Sequence, residues 1–187
     1  MQFRSILRTS FGLTALALFL AMGSPAIVAQ SADSEEISKL LTQAKSHAVL
    51  AADDADTLES YTNSTHSWES HSVRLAEMAE HVNAMGKVNK QLSDLSSQGS
   101  PWQQIAISRI DPLLREMADQ LTATINHLKN NQSKIHMGPY RDYVQANHDV
   151  ASRTAQMISD FVEYDKAKSK AESLERKLEL PSPVKGD

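Results

Sequence analysis

IDPLLREMADQLTATINHL, residues 110–128, is the stretch from which the rest of the chain can be read. Ile110, Leu114, Met117, Leu121, Ile125 and Leu128 recur at steps of four and three, with Arg115, Glu116, Asp119 and Gln120 between them. An α-helix turns once every 3.6 residues, so this spacing gathers the apolar side chains into one stripe. A helix of that length is marginal alone in water and needs other elements to cover the stripe. The remaining chain offers more helices: no run alternates apolar and polar residues with the β-branched and aromatic content of a sheet. The class is all-α.

Among 187 residues, 41% are hydrophobic, enough for one domain with a real core, and only 6 Gly and 6 Pro interrupt it, so the helices should be long. Cysteine is absent, which removes disulfides, a thiol nucleophile, covalent haem and a lipid on an N-terminal cysteine.

Residues 1–29 read as a signal peptide. Arg4 and Arg8 form a basic start, Phe11 to Met22 is apolar but too short to span a bilayer, and Ile27-Val28-Ala29 is a cleavage site before Gln30. The expected location is periplasmic or extracellular; retention of the segment as an anchor is the competing reading. The segment carries two arginines and no acidic group, so its removal moves the formal net charge from −4 to −6. A mildly acidic domain lacks the basic face that nucleic acid or an anionic membrane requires. No integral span is expected in the mature chain.

Outward from the opening stretch, residues 30–180 divide into four helices. The first should start near Asp33, with Asp33 and Glu36 spaced as a capping box, and run a stripe through Ile37, Leu41, Ala44, Ala48, Ala51, Ala55, Leu58 and Thr62. Its small middle lets a neighbouring backbone approach, or leaves room for Phe161 or Trp68. After Asn63-Ser64-Thr65 a second stripe follows: Trp68, His71, Leu75, Met78, Val82, Met85, Asn89 and Leu92. The phase slips by one residue at that joint, which means either a turn or a stammer in one very long helix. A turn gives segments of matching length; the alternative is a three-helix arrangement with one very long first helix.

Ser96 to Pro101 is a stop and restart, with Gly99 suited to a left-handed terminus, Ser100 to an N-cap and Pro101 to the first helical position. Pro112 inside the third helix predicts a kink, or a new helix capped by Asp111. Residues 130–139 form the next connection, and Pro139 restarts the chain in a fourth helix with a face from Tyr140 through Tyr143, Val144, Asn147, Val150, Ala151, Thr154, Met157, Ile158 and Phe161 to Tyr164. Past Asp165 charges surround only Ala167, Ala171, Leu174 and Leu178, with Glu172 and Arg176 spaced to pair, so this end should project as a solvated helix. A partner docking on the Leu174/Leu178 edge is a further reading. A disordered tail is expected over residues 181–187. The expectation is an antiparallel up-down four-helix bundle with an extended C-terminal helix.

Seven histidines raise the question of metal. None follows a carboxylate by three residues, as a di-iron bundle needs, and there is neither an HExxH motif nor a His pair four apart. Glu77 and His81 are spaced as a surface ion pair. Met78, Met85, Met117 and Met157 lie on stripes as packing, leaving His136-Met137 as a poor copper pair. His71 and Asn89 stand where apolar residues would be cheaper, so each needs a partner, water or a hydroxyl for His71. The sharpest cofactor reading makes His71 an axial haem ligand with Met157 opposite, as in four-helix cytochromes, an analogy of fold alone. No GxSxG motif is present. No catalytic, cofactor-binding or metal residue is therefore assigned. The expectation is a non-catalytic exported protein of structural, adaptor or sensor type that binds a protein partner or itself. The alternative is a small-molecule or haem/metal carrier using an interior lined by Ala44, Ala48, Ala51 and Phe161.

Overall fold

The computed structural model describes residues 32–180, so the expected signal peptide over residues 1–29 and the expected disordered tail over 181–187 lie outside the described residues. Four helices follow one another: α1 (Glu35–Thr62), α2 (Trp68–Leu95), α3 (Pro101–Asn130) and α4 (Gly138–Lys177). Each packs on its neighbours in sequence, and α4 closes the ring against α1, giving an antiparallel up-down four-helix bundle. At 1.5 Å per residue the first three reach about 42–45 Å and α4 about 60 Å.

The reversal after Thr62 needs neither glycine nor proline, because hydroxyls compete with the helical ladder. Ser60 Oγ donates to Thr57 O (2.7 Å), Thr62 Oγ1 to Glu59 O (2.8 Å) and Ser64 Oγ to Tyr61 O (2.9 Å). The chain turns over residues 63–67 and excludes the single long first helix.

Several local expectations change. The N-cap of α1 is Ser34, whose hydroxyl accepts from Ile37 N–H (3.4 Å), because Asp33 is drawn away to Trp102 and Lys168. Gly99 is extended, with φ −76°, rather than left-handed. What it supplies is room: a Cβ there would stand 2.9 Å from Ile37 Cδ1 and 3.1 Å from Gln103 Cβ. Helix α3 runs unbroken through Pro112. Both Pro112 and Ser108, whose carbonyl loses its partner, are exposed, so water can replace the missing bond, and Asp111 serves as an acceptor instead of a cap.

The core is the predicted stripes with two rotations. All eight residues of the α1 stripe are buried, and so is the opening stripe apart from a half-buried Ile125. In α2, Val88 is buried and Asn89 only half-buried, since the apolar neighbour takes the interior where the stripe could continue by three or by four. In α4, Ala155 and Val162 take inward positions, leaving Met157 and Phe161 half-buried and Tyr164 half-exposed. The helical drift of 3.6 against a seven-residue repeat produces this turn of the buried face.

Candidate functional site

The two ends of the bundle collect its polar groups. At one end meet the C-termini of α1 and α3 and the N-termini of α2 and α4. His71, in the first turn of α2, is fully buried, and its Nδ1 lies 3.0 Å from the Tyr140 hydroxyl. Tyr61 and Tyr140 both meet the imidazole edge-on, with ring centres 5.6 and 5.3 Å away. His66 stacks on Tyr61 at 3.9 Å, and His127 lies 4.7 Å from Tyr143. Burial, with the neighbouring His136 and His66, brings the His71 pKa down to about 4, and burial pushes the Tyr140 phenol up. Both are neutral at pH 7.

His71 thus has the hydroxyl partner that its seam position demands, while its Nε2 is buried without one. The haem arrangement is not assembled. Tyr140 and Met157 are nearly five turns apart on α4, about 25 Å at the helical rise, so Met157 cannot stand opposite His71. Asn89 donates to Asp111 Oδ1 (2.7 Å), and Asp111 also accepts from Arg115 Nε (2.9 Å). Arg115 first, and then Asn89, hold that carboxyl below its usual range.

The opposite end is charged and interlocked. Trp102 Nε1 donates to Asp33 Oδ1 (2.8 Å) and Lys168 Nζ to Asp33 Oδ2 (2.5 Å). Burial raises the Asp33 carboxyl, but hydrogen bonds from Lys168, Ser100 and Trp102 outweigh it and hold the group below its ordinary value. Buried Gln103 donates from Nε2 to Ser34 O (2.8 Å), while its Oε1 accepts from Ser34 N (2.9 Å) and Ser100 N (3.0 Å). This latch joins three helices. The spacing of Asp33 and Glu36 suggested a cap, and no local pattern reveals partners 69 and 135 residues away.

Two surface clusters also join separate helices. His148 on α4 sits between Asp56 and Glu59 of α1, with Nε2–Oδ1 2.7 Å and Nδ1–Oε2 3.4 Å. These three offer ligand atoms within 4.8 Å of one another. Three side chains fall one short of the four ligands of a closed structural zinc site, and Asp56 is exposed. Along α1 and α2, Arg74 bridges Asp54 and Glu77, both at 2.7 Å. The Glu77–His81 pair gives way to this bridge, and His81 faces Asp54 (3.7 Å) and His47 (3.4 Å).

Among the described residues the interior alanines are closed off from solvent. Ala44, Ala48, Ala51 and Ala55 are at most 1% exposed, whereas a cleft of about 220 Å³ lies on the other side of the bundle, between Trp68 and Leu75 of α2 and Ile125 and Leu128 of α3. Met78, Met85 and Met117 are buried packing, and Met137 is exposed.

Helix α4 outruns the bundle after Lys168, the last of its residues to bond another segment among the described residues, through Asp33 just ahead of α1. Lys168 also bonds Glu172 (2.6 Å), displacing the expected Glu172–Arg176 pair. Beyond it Leu174, Leu178 and Leu180 are 46%, 61% and 53% exposed. No helix among the described residues is long and apolar enough to cross a membrane. Compared with protein-family models, with curated proteins and with solved structures, the chain matches none of them.

Proposed function

We propose that this is a non-catalytic, exported helical-bundle protein that works as an interaction module, through its outer surface rather than its interior. The observation that carries this reading is the contrast between the closed alanine seam of α1 and the exposed leucine edge of α4. A carrier needs space for its cargo, and ligand pockets usually enclose several hundred Å³. An adaptor needs apolar surface in reach of a partner, and apolar side chains recurring on one edge supply it. Export rests on the basic and apolar segments of residues 4–22 and the small residue before Gln30.

Native mass spectrometry of the protein from its own host tests the reading. The expected species begins at Gln30 and carries added mass only from protein chains. A stoichiometric organic or metal adduct would overturn it in favour of a carrier, and the full-length mass would replace export by a retained anchor.

A further inference from the structure

Past the bundle, α4 repeats Tyr164, Ala167, Ala171, Leu174 and Leu178 at steps of three, four, three and four, the spacing of the a and d positions of a coiled coil. At 100° per residue this stripe lies roughly 180° around α4 from the face carrying Ala151, Ile158 and Val162; Tyr164 at its start still meets Trp102 of α3 edge-on, with ring centres 5.3 Å apart, and from Ala167 onward the stripe points away from the molecule's own core. Tyr164, Leu174 and Leu178 are 50%, 46% and 61% exposed, and both alanines are exposed. N-terminal to Tyr164 the same outward face carries Asp149, Arg153, Gln156 and Asp160, so the apolar seam begins on the last turn of the bundle.

The flanking charges indicate what covers it. With Tyr164 at an a position, Glu163, Lys170 and Lys177 occupy g, while Lys168 and Glu175 occupy e. In a parallel pair of helices each g residue faces the e residue five positions further along its partner. Glu163 then meets Lys168 of the second copy and Lys170 meets Glu175 of the second copy, and symmetry doubles both attractions. Antiparallel pairing centred on the alanines would instead set Lys168 against Lys168 and Lys170 against Lys170, and Glu163 against Lys177 at either end. Within the chain Lys168 is shared with Asp33 and Glu172, and Glu163 lies 3.7 Å from Lys45, whereas Lys170 and Glu175 enter no ion pair among the described residues. The central pair therefore carries the discrimination.

We propose that the overhang of α4 is a self-association seam, on which a second copy of this chain pairs in parallel through Ala167, Ala171, Leu174 and Leu178. This rests on the reading of the protein as an interaction module and names its partner. Two heptads are fewer than a free-standing coiled coil sustains, but each helix is already ordered by its bundle, which lowers the entropy cost of pairing. The contact is smaller than the roughly 1,200 Å² of a standard interface, so association depends on concentration.

Sedimentation equilibrium across a concentration series, on the protein as its host processes it, should show a monomer–dimer equilibrium. Leu174→Glu with Leu178→Glu should abolish it. Both side chains lie beyond the packed bundle, so an unchanged melting curve certifies the fold. Lys170→Glu alone and Glu175→Lys alone should each weaken pairing by about tenfold. Mixed together, these two variants should pair with each other, because both central contacts become attractive again. A wild-type protein that stays monomeric, or single variants that pair with themselves as well as wild type does, would overturn the proposal. A photo-crosslinker at Leu178, used in the host, separates this failure from failure of the broader reading. A product of twice the chain's mass supports the seam, and a product with a different protein overturns it while the interaction reading stands. No product overturns both.

Discussion

Residues 138–165 and 166–177 belong to one helix and follow opposite rules. In the first part every inward position is filled: Val144, Val150, Ala151, Ile158 and Val162 are at most 2% exposed. Buried Asn147 there donates to Tyr143 O (3.0 Å) and to Thr124 Oγ1, and Thr154 returns its hydroxyl to Val150 O (2.7 Å). In the second part a comparable apolar spacing appears on the far side of the helix, and Leu174 and Leu178 stay in solvent. Periodicity says that a face exists; only the position of the other three helices says whether the chain itself covers it. The body of α4 should thus govern stability and its overhang association.

The largest expected effect breaks the body. Ile158→Ala should cost about 2–5 kcal/mol in urea denaturation, as a large buried side chain is lost and a cavity left, with the dimer contacts untouched. A change below about 1 kcal/mol would mean that this face is not packed.

Acid comes next. In the fold His71 stays unprotonated down to about pH 4, whereas in the unfolded chain it takes up a proton near 6.5. Between those values the unfolded state binds more protons, so stability falls as pH falls, by up to about 3 kcal/mol. Asp33 acts in a lower window: its carboxyl is held below 3.8, so its contribution is intact above that value and lost as pH drops through the folded pKa. Denaturation curves from pH 7 to 4 check the first window, and His71→Leu should flatten it.

Tyr140→Phe removes the hydroxyl that His71 Nδ1 uses and leaves both imidazole nitrogens unpaired; thermal unfolding should register a loss of about 1–3 kcal/mol. Smallest is Leu178→Ala, which should change stability by no more than about 0.5 kcal/mol while weakening association, measured by sedimentation. A larger loss of stability would move Leu178 from the overhang into the body.

Most of the fold was legible in the sequence because the stripes of Ile37–Thr62 and Ile110–Leu128 are long and regular, and because Ser100-Pro101 and Gly138-Pro139 punctuate the chain. The exchanges of Val88 for Asn89 and of Val162 for Phe161 were not, since a step of three or four is settled by the neighbouring helix. His71 was legible as a buried polar group needing a partner, but the partner's identity was not, because Tyr140 lies 69 residues away. The Asp33 latch and the Asp56–Glu59–His148 cluster were hidden for the same reason: each joins helices that only the tertiary fold brings together. The charges beside Leu174 and Leu178 were in plain view, but acquired meaning once the bundle was seen to end at Lys168.

Amide hydrogen exchange along α4 at low and high protein concentration tests the division of this helix most directly. The account predicts that amides of residues 144–162 exchange slowly and identically at both concentrations, while those of residues 171–178 slow markedly as concentration rises. Exchange over 171–178 that is the same at both concentrations would contradict it.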